Sequence, residues 1–361
     1  MKRPAIIAAR AALAVATCFA GPVFAQPTVR AETSPEQCLL DALRRAAPDA
    51  SVASVRASCA ADAPPARTRG EAAEQQGSAA PSSSSQPLAN SAGPIERRLG
   101  EETRLWFDRI AFIPHRPNYA LPFAHGGNLT GADALSGKAL RQAEFKFQMS
   151  FKVPLTAPAG PGESEAFFAY TGQAWWQAYQ AKRSSPFREY NHDPELFVRF
   201  RSEFPVLGWS ERLTSFGIEH TSNGRDGFGS RSWNRIFAQL EFDRGNDWWL
   251  SLRAWWRVPE SAKTVPGEAG GDDNPDITRY LGNGELRLGQ AGEKLQWDAM
   301  LRHSLRSGGK SAFEFNLSYP THLNPRARWY LQYFNGYGES LIDYNRRIHR
   351  LGIGLMLNNW Y

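Results

Sequence analysis

WWLSLRAWWR, residues 248–257, puts Trp248, Leu250, Leu252, Ala254 and Trp256 on one side of an extended chain and Ser251, Arg253 and Arg257 on the other. A period of two is the signature of a strand whose faces meet different surroundings. The preceding segment repeats it. Within 233–243, Ile236, Ala238, Leu240 and Phe242 share one face, and Arg235, Gln239, Glu241 and Asp243 share the other. A soluble sandwich strand also alternates, with its apolar face on a core. Large aromatics at the strand ends favour a membrane barrel, where such rings form a girdle at the interface.

The pattern extends from about residue 100 to the end of the chain. Alternating segments separated by Gly, Pro, Asn and Asp turns run near 108–124, 141–155, 165–179, 193–204, 207–222, 231–244, 246–258, 276–290, 293–304, 310–320, 327–336 and 344–360. The expectation is an all-β fold, an antiparallel transmembrane β-barrel of about twelve strands, an even number whose ends meet on one side. Composition agrees: Trp 12, Tyr 11 and Phe 21 coexist with a mean hydropathy of −0.48, because lipid-facing and lumen-facing residues cancel in any average. In the last segment Leu351, Ile353, Leu355, Leu357 and the terminal Tyr361 share a face, an ending that resembles the signal read by the barrel-insertion machinery.

Residues 1–25 carry a basic start, an apolar core over 11–20 and a small-residue site at Val23–Phe24–Ala25, the pattern of a cleaved secretory signal. Residues 26–95 form an N-terminal extension: a helical Ala/Leu/Arg pattern enclosed by Cys38 and Cys59, then a Pro/Ala/Ser/Gln-rich linker. Export permits a disulfide between these cysteines, and no histidine lies near them to suggest zinc. Residues 96–361 are the expected barrel. The net charge of +6 is spread out, without a lysine-rich tract or nucleic-acid module, so no nucleic-acid partner is expected. The arginines suit a polar lumen. The expected location is a bacterial outer membrane.

One region breaks the alternation, FGIEHTSNGRDGFGSRSWNRI at 216–236. Continued through it, the period of two puts His220 and Ser222 on the face of Phe216 and Ile218, the lipid side. Asn234 takes the parity of Ile236, Ala238 and Leu240, the lipid side again. A hairpin would bring the three polar side chains together on an apolar wall, where they are costly unless they bond one another. One explanation is that the apolar band ends here and they meet water or headgroups. The other is a catalytic triad acting on substrate in the membrane, with His220 as the base that activates Ser222. Asn234 would then hold the His220 ring in its working tautomer without placing a bare carboxylate at the bilayer boundary. No GxSxG elbow anchors a soluble α/β-hydrolase reading.

At these residues the sequence resembles the outer membrane phospholipase A family, over about the last 250 residues. The likeness is dense in WWQ (175–177), SSPFRE (184–189), HTSNGR through SRSWNR (220–235), DDNPDITRY (272–280) and GYGESLIDYN (336–345). It implies a calcium-dependent phospholipase A1/A2 and lysophospholipase, a homodimer activated by dimerisation, hydrolysing acyl esters of membrane glycerophospholipids. Carried over by motif, Ser222 is the nucleophile, His220 the base and Asn234 its orienter. The Arg225 carbonyl and the Ser230 hydroxyl would hold Ca2+, with Ser184 reaching across from the second subunit. Serine, carbonyl and water oxygens suit that hard cation.

Two positions depart from the family pattern. Gly172 stands where the family has a glutamine at the subunit contact, and Gln173 beside it faces the other way. Gly227 replaces an acidic residue, with Asp226 one place earlier. This second departure puts in doubt an additional calcium site that would use Asp273.

Overall fold

The computed structural model describes residues 92–110, 112–129, 140–181, 186–265, 268, 270–322, 324 and 326–358, all within the compact unit Ser82–Tyr361. The expected signal and cysteine pair, the linker as far as residue 91, and Ser184 and Tyr361 lie outside the described residues, while the linker's last two residues, Pro94 and Ile95, begin a helix.

A short strand β1 (Ile113–Pro114) precedes β2 (Asn118–Gly126), β3 (Ala143–Pro154), β4 (Ser164–Trp176), β5 (Phe187–Val206), β6 (Trp209–Ser222), β7 (Ser232–Arg244), β8 (Trp248–Arg257), β9 (Gly284–Ala291), β10 (Gln296–His303), β11 (Ser311–Pro320), β12 (Arg328–Tyr337) and β13 (Arg347–Asn358). From β2 to β13 each strand pairs antiparallel with its neighbour, and β13 returns to β2. The twelve-stranded sheet therefore closes, and among the described residues no unpaired edge of it faces lipid. On its outside Phe216, Ile218, Ile236, Leu252, Trp256, Leu351 and Ile353 stand exposed, while Trp249, Ser251 and Trp255 are buried within. A continuous exposed apolar belt around a closed barrel is a lipid-facing surface. No helix among the described residues is long and apolar enough to cross a membrane.

The lumen is filled with paired charges. Glu195 and Glu219 lie directly opposite each other on β5 and β6, an arrangement that would repel if left bare. Arg253 bonds both, at 2.8 and 2.9 Å, and Arg235 bonds Glu219 at 2.7 Å. Arg116 adds Asp193 at 2.9 Å. The carboxylates of Asp193, Glu195 and Glu219 come within 4.8 Å of one another, and these guanidiniums balance them.

Helix α1 (Pro94–Phe107) stands at one end of this lumen. Proline opens it where a missing N–H costs nothing. The cap comes from the barrel: the Asp243 carboxylate accepts from the N–H of Ile95 at 2.9 Å and of Glu96 at 3.2 Å. Ile95 and Leu99 pack on Leu213, Trp249 and Ala291. Glu102 pairs with Lys152 at 2.7 Å and Arg199 at 2.8 Å. This is the end of tight turns such as Leu207–Gly208, and the long connections 223–231, 258–283 and 338–346 lie at the other. In outer-membrane barrels short turns face the periplasm and long loops the outside.

Three expected strand limits differ. Within 108–124, α1 runs to Phe107 and the barrel strand starts only at Asn118. Pro114 and Pro117 intervene, and neither can donate to a ladder. Within 276–290, residues Ile277–Leu281 form a short helix α2, and β9 starts at Gly284. Gly282 joins them at φ +69°, where a Cβ would meet the His303 carbonyl at 2.7 Å. β5 begins at Phe187 rather than 193.

Removing one lumen carboxylate should leave guanidiniums buried and uncompensated. Glu219→Leu is expected to lose about 3–5 kcal/mol in urea unfolding of the barrel in lipid vesicles. Glu203→Ala, whose side chain is 65% exposed in its pair with Arg212, should change stability by less than about 1 kcal/mol.

Candidate active site

Strands β6 and β7 end at the long-loop rim. Their register pairs Phe216 with Ala238, Ile218 with Ile236, His220 with Asn234 and Ser222 with Ser232. The inward neighbours Glu219, Thr221 and Trp233 are buried, so His220, Ser222 and Asn234 face outward, above the exposed Ile218 and Ile236. His220 Nδ1 lies 2.8 Å from Asn234 Oδ1. The Asn234 amide orientation follows from its other end, where Nδ2 donates to Glu260 Oε1 at 3.1 Å. An amide nitrogen must face that carboxylate, so oxygen faces the ring, and Nδ1 carries the proton. That tautomer leaves Nε2 as an acceptor on the side chain two residues from Ser222. Glu260, in the loop after β8, is invisible to the period-two reading.

The loop between the strands is closed by Asn223. Its N–H donates to the Arg231 carbonyl at 3.0 Å, its Oδ1 accepts from the Arg231 N–H at 2.9 Å, and its Nδ2 donates to the Gly229 carbonyl at 2.9 Å. The Arg225 guanidinium reaches down to Glu189 Oε2 at 3.2 Å and the Arg188 carbonyl at 2.6 Å. Buried Glu189 also accepts from the Ile342 N–H at 3.1 Å. Arg188 and Glu189 thus bring the first of the family-like stretches to those at 220–235 and 336–345.

Loop 258–283 braces the same rim. Asn274 Oδ1 accepts from the Ser232 N–H at 3.1 Å. Ile277 and Leu281 of α2 pack with Trp233, Trp255, Leu341 and Tyr344. Tyr344 donates to Asp276 at 2.6 Å. Burial, and then this bond, push its phenol well above the ordinary range, which keeps it a donor.

Ser230 follows a single 3-10 turn, Gly227–Gly229. Its hydroxyl donates to Asp273 Oδ2 at 2.7 Å, and Ser232 Oγ approaches the same oxygen at 3.5 Å. The Lys263 ammonium pairs with the other Asp273 oxygen. Hydroxyls and a carboxylate make an oxygen-only donor set, which fits a hard cation. Of the sequence-predicted site residues, His220, Ser222 and Asn234 come together on β6 and β7, and Arg225 and Ser230 share the adjoining loop.

An outer-membrane barrel with a hydrogen-bonded His–Asn pair beside a serine on its lipid face is the class these features define. The family model for Phospholipase A1 matches residues 95–357. The phospholipase A1 of Klebsiella pneumoniae is 40% identical over 222 residues, 61% of this chain and 72% of that protein. The outer membrane phospholipase A of Escherichia coli superposes with a TM-score of 0.61 at 35% identity, covering 69% of this chain and 93% of that one. The Salmonella typhi outer membrane phospholipase, solved as a dimer with bound calcium, does so at 0.61 and 36%, with the same coverage. The chain belongs to the outer membrane phospholipase A family and is a phospholipase of the bacterial outer membrane.

The tautomer is open to measurement. Nitrogen NMR of the histidine-labelled barrel in micelles should show His220 protonated at Nδ1, and Asn234→Ala should abolish that preference.

Proposed function

We propose that the chain hydrolyses the acyl esters of glycerophospholipids at both positions, and of lysophospholipids, through a Ser222–His220–Asn234 triad working from the lipid side. The observation that carries this reading is the His220–Asn234 hydrogen bond on the outer wall, on the face that also holds Ser222. Ser222 Oγ attacks the ester carbonyl carbon while His220 Nε2 takes its proton. As the ester C–O bond breaks, His220 returns that proton to the leaving alcohol oxygen, and the acyl group stays on Ser222. Water, deprotonated by His220, then releases the fatty acid and restores the serine. Asn234 holds the ring throughout, and Glu260 holds Asn234.

The Arg225 carbonyl and Ser230 hydroxyl would hold Ca2+, with Ser184 of a second subunit completing the set. Bound there, the ion supplies positive charge to the oxyanion of the attacked ester. Dimerisation then acts as the switch: one subunit alone has an incomplete ion site. A calcium-bound dimer in the Salmonella relative supports both parts. Asp273 accepts from the Ser230 hydroxyl, which supports its serving this site rather than a second one. Residues 1–25 would direct export. The charge-filled lumen, with α1 at one end, weighs against a pore.

Purified protein should hydrolyse phospholipid in mixed micelles, and Ser222→Ala should lose more than about 10³-fold in kcat. A chelator should abolish activity and added Ca2+ restore it. Unaltered hydrolysis by Ser222→Ala would refute the triad, and chelator-resistant turnover the ion. Crosslinked monomers and dimers of equal activity would refute the switch.

A further inference from the structure

On the outer wall, one strand away from Ser222, sits a second polar group that the triad does not use. His192 on β5 is the direct cross-strand partner of Ser222. It shares the outward parity of the exposed Leu196, and the inward neighbours Asn191 and Asp193 are buried. Paired positions of this kind place their Cβ atoms about 4.5–5.5 Å apart. The ring is fixed on two sides: Tyr170 Oη lies 2.6 Å from His192 Nδ1, and the Tyr190 ring packs on it at 4.6 Å between centroids. Its free edge points at the loop. A Cβ built on Gly224 would lie 3.6 Å from His192 Nε2 and 3.7 Å from Cδ2. Gly224 itself holds φ +61°, a conformation that favours glycine.

We infer that His192 is a further catalytic residue, donating a hydrogen bond from Nε2–H to the carbonyl oxygen of the ester as negative charge develops on it. The inference rests on the proposed triad. The 2.6 Å contact fits either direction; with the Tyr170 hydroxyl as donor to Nδ1, the arrangement this inference takes, the ring proton sits on Nε2, opposite in tautomer to His220. The two histidines therefore flank Ser222 with complementary edges. His220, along β6, presents an acceptor for the serine proton. His192, across on β5, presents a donor. An oxygen turned away from the base during attack points toward such a donor, where a neutral N–H stabilises the forming charge without burying one of its own.

Gly172 is part of this arrangement. It pairs with His192 from β4, and a Cβ there would stand 3.1 Å from Tyr190 Oη and 3.4 Å from Tyr170 Oη. The two phenols occupy the space that a side chain at 172 would need. Gly172→Gln should push Tyr170 off His192 and release the tautomer.

The test compares His192→Phe, His192→Gln, Tyr170→Phe and Ser222→Ala in the full barrel, with Ca2+, in detergent–phospholipid mixed micelles. Phenylalanine keeps the ring packing, while glutamine keeps a donor that cannot serve as a base. His192→Phe should lower kcat about 100-fold, the usual cost of one such donor, with KM little changed. His192→Gln should recover most of that loss, and Tyr170→Phe should fall between. Inhibition by a long-chain trifluoromethyl ketone, which forms a tetrahedral adduct on serine, should weaken in step with kcat. An undiminished kcat in His192→Phe overturns the assignment, as does a glutamine variant as poor as phenylalanine. So does a loss that vanishes when more protein restores the crosslinked dimer, since His192 would then be a subunit contact. Activity retained by Ser222→Ala would take the triad down with it. The histidine variants alone sink only this inference.

Discussion

A polar side chain turned toward hydrocarbon gives up water and must find a partner in the protein, or cost about 2–7 kcal/mol. A closed barrel enforces the choice at every residue, because each outward position faces lipid and each inward one the lumen. Over most of the wall this chain answers with Phe, Ile, Leu and Trp outside. At the end of β6 and β7 it answers differently, with His220 bonded to Asn234 at 2.8 Å and Asn234 bonded to Glu260 at 3.1 Å. Glu260 belongs to the loop after β8 and brings its carboxylate to this pair.

The interior makes that exterior rigid. Arginines of β7 and β8 span the carboxylates of β5 and β6, and Asp243 clamps α1 across the opposite end. Toward the site, Glu189 gathers the Arg225 side chain, the Asn223 amide and the Ile342 N–H. A loop tied at that many points holds its backbone groups where the strand ends leave them, and catalysis by preorganised dipoles requires such fixity.

Much of the fold was legible because one number, the period of two, decides both secondary structure and facing. Trp248, Leu252 and Trp256 stand outside and Ser251 and Arg253 inside, as their alternation implies. The same parity set His220, Ser222 and Asn234 on one wall. What escaped does not alternate. α1 is helical over PIERRLGEETRLWF, where Pro94 at the first turn and Ile95 and Leu99 one turn apart carried a helical signal. α2 lies within a stretch whose apolar residues mimic a strand. Glu260 and Asn274 are loop residues whose partners are far along the chain, and no local pattern announces such contacts. His192 kept its parity, but its meaning depends on Tyr170, Tyr190 and Gly224 converging in space.

The central claim is that chemistry is reached from the membrane, through a serine on the outside of the wall. Labelling with a long-chain alkyl sulfonyl fluoride dissolved in the lipid phase, followed by mass-spectrometric mapping, tests it directly. The account predicts a single sulfonylated residue, Ser222, and much weaker labelling by a short, water-soluble sulfonyl fluoride. Modification at another residue, or equal labelling from the aqueous phase, would contradict it.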